Sequence, residues 1–284
     1  MKEQTDLENF LDTPPWEWPK NAGNRFLEVL IHRGASESDR LIAAELAGDL
    51  VVMNDKLADA LMAILRRGDE PEELRAKTAI SLGPVLEQAE INEFDDPDDT
   101  PITERTFHTI QKLLHKLYVN DGVPKEVRRR VLEAAVRSPQ EWQRDAIRKA
   151  YSSGDKDWML TAVFAMRWVR GFDAQILEAL QSSDAEIHYE AVEAAGNWEL
   201  EAAWPHIARL VRDPATPKPL LLAAIGATGG IRPKEAGEML SELAASDDED
   251  IAEAATEAIM IAEGREDEDF EDEEEDEEAS GWIN

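Results

Sequence analysis

Five histidines, sixty-two carboxylates and no cysteine are the raw material for chemistry in this chain of 284 residues. Without cysteine there is no disulfide, no thiolate metal ligand and no thiol nucleophile. That leaves His32, His108, His115, His188 and His206 as candidate metal ligands and proton carriers. His108 and His115 lie seven apart on one predicted helix, so they share a face but stand about 10.5 Å apart, too far to bind one ion without other ligands. A pair of surface or core histidines is the simpler account. The chain contains neither the GxxxxGK loop that cradles phosphates nor the GxSxG elbow that presents a serine, and Gly226, Gly229 and Gly230 suit a helix end better than a nucleotide loop. Carboxylate pairs occur everywhere, so no one pair stands out as acid and base. The residues therefore assign no catalytic, cofactor-binding or metal-binding position, and no cofactor is expected.

Charge narrows the partner instead. The formal net charge is −32, and the segment from Glu266 to Glu278 alone holds twelve acids and no base, leaving 50 acids against 30 bases elsewhere. Such a field repels phosphate backbones and anionic headgroups and attracts basic proteins, polyamines or divalent cations. Direct nucleic-acid binding is not expected; another protein, basic or nucleic-acid-associated, is. One region runs against this sign: from Lys125 to Arg170 there are eleven bases and six acids, with Trp142, Trp158 and Trp168 among them. A basic and aromatic surface of that kind could stack bases or grip an acidic peptide. The plainer alternative puts Trp158 and Trp168 in the core and the arginines on a solvated face. No stretch approaches the ~20 apolar residues of a membrane span, and the first thirty residues lack a secretion signal, so a cytoplasmic location without membrane contact is the default expectation.

The elements that must carry these residues show up as internal repetition. LIAAELAGDL, AKTAISLGPV, RRVLEAAVRS, MLTAVFAMRW, YEAVEAAGNW, LLAAIGATGG and AEAATEAIMI each place small or apolar residues at i, i+3 and i+4. Aligning them sets Ala43, Thr78, Val131, Ala162, Ala191, Ala224 and Ala255 in register, with spacings of 35, 53, 31, 29, 33 and 31. After most of them comes a break and a second helix, such as KLADALMAILRRG or EAAWPHIARLVRD, and an acidic or serine cap for the next unit. One helix pair cannot cover its own apolar face, so stacking is what makes a core. The pattern predicts an all-α fold, an α-solenoid of about seven helix-turn-helix repeats.

DAEIHYEAVEAAG followed by AAWPHIARLVRD, residues 184–213, resembles the HEAT repeat, especially the short variety first associated with phycobilin lyases. The resemblance covers roughly residues 24–263 and implies a fold rather than an activity. One HEAT-repeat enzyme, deoxyhypusine hydroxylase, holds iron through repeated His-Glu pairs; no histidine here is followed by Glu, which argues against that activity. HEAT-like DNA glycosylases present a cationic groove, which the global charge opposes.

Three regions flank or interrupt the array. Residues 1–23 contain TPPWEWPK, whose prolines forbid a continuous helix; Trp16 and Trp18 are expected to cap the first repeat, or else to form an extended ligand for a partner's groove. The spacing of 53 marks an insertion read as an acidic loop over 89–103, lacking the central Gly of an EF-hand. Residues 264–284 are expected to form a disordered acidic tail ending in Trp282-Ile283-Asn284. The reading is a non-enzymatic interaction scaffold that binds a partner on the concave surface through Trp142, Arg144, Arg148, Trp204 and His206. Trp282 and Ile283 would act as a docking hook, and the tail would engage a basic partner or screen the chain's own basic segment. The rival, implied by the resemblance, is a phycobilin-lyase-like enzyme or tetrapyrrole-handling chaperone.

Overall fold

All seven aligned positions are completely buried: Ala43, Thr78, Val131, Ala162, Ala191, Ala224 and Ala255 are each 0% exposed. The computed structural model that places them describes residues 7–94 and 100–280, with side chains as far as Gly264. It contains helices and no strand among the described residues, and none of these helices is long and apolar enough to cross a membrane. The chain divides into two compact units, Met1–Ser152 and Ser153–Asn284.

The first unit runs through α1 (Glu8–Leu11), α2 (Ala22–Ile31), α3 (Glu37–Leu46), α4 (Asp55–Arg66), α5 (Glu72–Ser81), α6 (Gly83–Asn92), α7 (Glu104–Tyr118), α8 (Lys125–Ala135) and α9 (Glu141–Tyr151). Its first helices stack in the order α3, α5, α8, and the second helices α4 and α7 pack beside them. The second unit contains α10 (Lys156–Ala165), α11 (Asp173–Ala179), α12 (Ala185–Asn197), α13 (Trp204–Arg212), α14 (Lys218–Ile231), α15 (Pro233–Leu240) and α16 (Glu249–Ser280). There α10, α12, α14 and α16 stack in turn, with α11, α13 and α15 beside them. Each unit is thus a pile of helix pairs, the α-solenoid arrangement.

Small residues let the first helices come close. A Cβ built on Gly196 of α12 would lie 2.8 Å from Ala227 Cβ of α14, and one on Gly229 of α14 would lie 2.6 Å from the Ala258 carbonyl of α16. Gly48, just after α3, is pressed in the same way against Ser81 of α5. The glycines near helix ends are therefore contact points between successive repeats as well as stops.

A second device recurs in the first unit. Arg40 donates to the Leu30 carbonyl at 3.4 Å, Arg75 to the Leu65 carbonyl at 3.2 Å, and Arg128 to the Tyr118 carbonyl at 2.9 Å. Each arginine sits in the first turn of a first helix and reaches ten residues back to the last turn of the preceding helix, where carbonyls have no intrahelical partner and the helix dipole is negative. Arg40 also pairs with Glu70 at 2.6 Å, both side chains being over nine-tenths buried, so its charge is not left alone in the interior.

At the N-terminus, Phe10, Trp18 and Phe26 meet edge-to-face with centroids 5.1 to 5.7 Å apart, and Trp18 Nε1 donates to the Thr13 carbonyl at 2.8 Å. Trp18 therefore covers the end of the stack, whereas Trp16 is 79% exposed and does not. The long spacing between repeats is filled partly by α6, which continues helical to Asn92, so the connecting loop begins later than the expected 89–103. Glu93 and Phe94 turn the chain with φ of 48° and 59°, and Phe94 packs on Phe107. Residues 95–99 of that loop lie outside the described residues. So do Gly281–Asn284, with the expected Trp282–Ile283 hook, and the side chains of the expected tail from Arg265 onward.

The arginine device has a measurable consequence. Arg75→Leu leaves the Leu65 carbonyl buried without a donor, and chemical denaturation is expected to show a loss of about 1–3 kcal/mol. Arg144→Leu, on an exposed position, is expected to change stability by less than about 0.5 kcal/mol.

Candidate functional site

The residues proposed from sequence occupy unlike environments. Trp142 at the start of α9 is half-buried: it stacks on His115 of α7 at 4.6 Å and 11°, lies 5.1 Å from Tyr118, and donates Nε1 to Gln140 Oε1 at 2.7 Å. Its packing ties α9 to α7. Arg144 and Arg148 stand exposed on α9, the second joined to Asp145 at 2.9 Å. Trp204 opens α13 half-buried, in the second unit.

The basic stretch from Lys125 to Arg170 is largely neutralised inside the fold. Arg128 pairs with Asp121, Arg129 and Arg130 with Glu126 and Glu133, Arg137 with Glu87, Lys156 with Asp184, and Arg167 with Glu190 and Glu193. Arg170 lies 4.6 Å over the Trp198 ring. Arg137, Lys156 and Arg167 thus direct their charge to other elements, while Arg129 and Arg130 are met within α8 itself.

His206 takes part in a small network that sequence reasoning did not foresee. Its Nε2 is 2.7 Å from Nε2 of His188, and its Nδ1 is 2.9 Å from Arg209 Nη2. The guanidinium can only donate, so Nδ1 of His206 must be the acceptor, which places the proton on Nε2. That Nε2–H then donates to His188, whose proton is left on Nδ1. Both rings are held neutral. Burial, then His188, then Arg209 lower the pKa of His206 to about 4; burial and Arg209 lower that of His188. The two histidines sit on the two helices of one pair with a turn between them, so no periodicity within a single helix reveals their contact. Among the described residues no group of three or more His, Asp or Glu side chains is placed to hold a metal ion.

The second unit also carries a groove of about 520 Å³ across α12 and α14. Arg167, Tyr189, Glu193 and Asn197 form one wall, and Leu222 and Gly226 lie on the other. Arg167 Nη2 is 2.7 Å from Glu193 and Nη1 is 3.5 Å from Glu190, so its charge is already met. Asn197 donates to the Arg167 carbonyl at 2.7 Å and Trp198 Nε1 to the Met166 carbonyl at 2.6 Å, which fixes this wall to the end of α10. Burial, followed by the fields of Glu193 and Glu190, raises the pKa of Tyr189. The groove lies on first helices, whereas the sequence pointed to second helices. The available signal was the polar series Glu186, Tyr189, Glu190, Glu193 and Asn197 at helical spacing along α12, hidden within a stretch read for its alanines.

No protein-family model and no curated protein matches the chain. Among solved structures it is similar to human deoxyhypusine hydroxylase in complex with glycerol, at 18% identity over 91% of this chain and 96% of that one, with a TM-score of 0.40. It is also similar to YibA of Escherichia coli at 14% identity over 87% and 84%, with a TM-score of 0.44, and to an engineered protein at 16% identity over 86% and 97%, with a TM-score of 0.34.

The histidine pair makes a pH-dependent contribution whose sign is fixed. Folded His206 takes up its proton only near pH 4, while in the unfolded chain it does so near the ordinary value of about 6.5. Between those values the unfolded state binds more protons, so stability falls as pH is lowered through the interval. Thermal melts from pH 7 to 4.5 are expected to show the difference between the parent and His206→Gln shrinking as the pH drops; a constant difference would contradict the assignment.

Proposed function

We propose that the protein is a non-enzymatic interaction scaffold that binds a basic partner protein, with the acidic segment 266–278 as its electrostatic arm. The observation that carries this reading is the internal pairing of the basic stretch: Arg128, Arg137 and Arg167 face carboxylates outside their own helix, and Arg129 and Arg130 face Glu126 and Glu133 within α8. With those charges met, the twelve carboxylates of 266–278 have little reason to fold back on them, and a cationic partner is the remaining counterpart. The net charge of −32 supplies long-range attraction for such a partner. The helix pairs supply a surface that needs no ordering on binding.

The tail can be tested without altering the helix stack. Replacing the carboxylates of 266–278 by amides is expected to weaken binding of a lysine-rich peptide by about tenfold or more at low ionic strength, with the difference shrinking as salt is added. Tighter binding by the amide variant would instead favour a tail that screens the chain itself.

A further inference from the structure

Once the internal ion pairs are set aside, exposed cations remain on two successive second helices of the first unit. Lys112 and Lys116 of α7 and Arg144 and Lys149 of α9 are exposed and have no ion-pair partner among the described residues. The two helices are held side by side, because Trp142 of α9 stacks on His115 of α7 at 4.6 Å and lies 5.1 Å from Tyr118. Acids on this surface are few: after Glu104, α7 has none, and α9 has only Glu141 and Asp145, the latter joined to Arg148. Lys112, Lys116, Arg144, Arg148 and Lys149 thus stand against two acids, in a chain whose net charge is −32. The neighbours do not cancel this excess. Asp121, just past α7, is taken by Arg128, and α4, which packs on α7, exposes Lys56 and Arg66 against Asp59. Lys112 with Lys116 and Arg144 with Arg148 are like charges four apart, an arrangement that weakens a helix.

We infer that the joint surface of α7 and α9 is a docking site for a short, extended acidic segment of a partner protein. Lys112 and Lys116 are one turn apart, about 6 Å along the axis, and alternate side chains of an extended chain repeat at about 6.8 Å. Carboxylates at every second position therefore meet both lysines, and Arg144, Arg148 and Lys149 supply the second cationic row. The length of the segment follows from the extent of the charge. Exposed charges are screened beyond about 10 Å at 0.1 M salt, so a few carboxylates gain from this face, whereas a long phosphate backbone would run out over surfaces of its own sign. Trp142 is no open platform for a base, since His115 covers one face of its ring and Gln140 holds its Nε1–H. The inference goes beyond the acidic arm of 266–278: it concerns another surface, of opposite sign, within the first unit.

The test uses the full chain and a short fluorescent peptide with glutamate at alternate positions, a lysine-for-glutamate counterpart, and an oligothymidylate carrying the same number of charges. Anisotropy titrations at low ionic strength are expected to show binding of the glutamate peptide that weakens about tenfold in Lys112→Gln/Lys116→Gln and in Arg144→Gln/Lys149→Gln. Lys234→Gln, at an exposed position of α15, is expected to leave it unchanged. These surface replacements are expected to melt close to the parent. Carbodiimide, which couples carboxylates to amines in contact, is expected to join the peptide to Lys112, Lys116 or Lys149. Equal binding of the lysine counterpart, parental binding by both double variants, or tighter binding of the oligothymidylate would each overturn the inference. Coupling of 266–278 to the same lysines in the peptide-free chain, with peptide binding that strengthens once those carboxylates are amides, would give the face to the chain's own arm and overturn the partner segment. Absence of binding by the glutamate peptide would overturn it as well.

Discussion

A helix that ends inside a stack must dispose of the carbonyls of its last turn. Water cannot reach them fully, and each one left without a donor costs as much as a lost hydrogen bond. In the first unit the donors are Arg40, Arg75 and Arg128, each on the following helix and each ten residues downstream of its acceptor. In the second unit the same need is met by other groups: Asn197 and Trp198 serve the carbonyls after α10, and the Thr216 hydroxyl serves Leu210 at the end of α13. The turn between two helices is therefore anchored by the next element, which fixes how successive pairs sit on one another within each unit.

That constraint bears on the candidate surfaces. Side chains used to close helix ends are withdrawn from binding, and so are those that neutralise them. Arg128 closes α7 and pairs with Asp121; Asn197 and Trp198 hold one wall of the groove to the end of α10. What the stack leaves open is the bare backbone at Gly226 and the half-buried ring of Tyr189, whereas Glu190 and Glu193 of α12 are held by Arg167.

The histidines show the same economy in a different form. His188 and His206 look in sequence like two isolated titratable residues, yet the fold locks both tautomers through one donor, Arg209, at the end of the chain of hydrogen bonds. His115, by contrast, is exposed and serves as a flat surface for Trp142. Residue type alone does not separate these roles, because imidazole donates, accepts and stacks equally well.

The repeat was legible in the sequence because burial between stacked helices admits only small or apolar side chains, and that requirement recurs at each turn of the array. The seven aligned positions are buried without exception. Arg40, Arg75 and Arg128 precede Ala43, Thr78 and Val131 by three residues each, so even the end-closing arginines kept the register. What the sequence could not decide is which charges meet. The pairing of Arg137 with Glu87 spans fifty residues, and that of His188 with His206 joins two helices through a turn. Local patterns carry the helix faces and their caps, because these depend on neighbours three or four residues away; the groove and the neutralised basic stretch depend on how the pairs stack, and only the tertiary structure sets that.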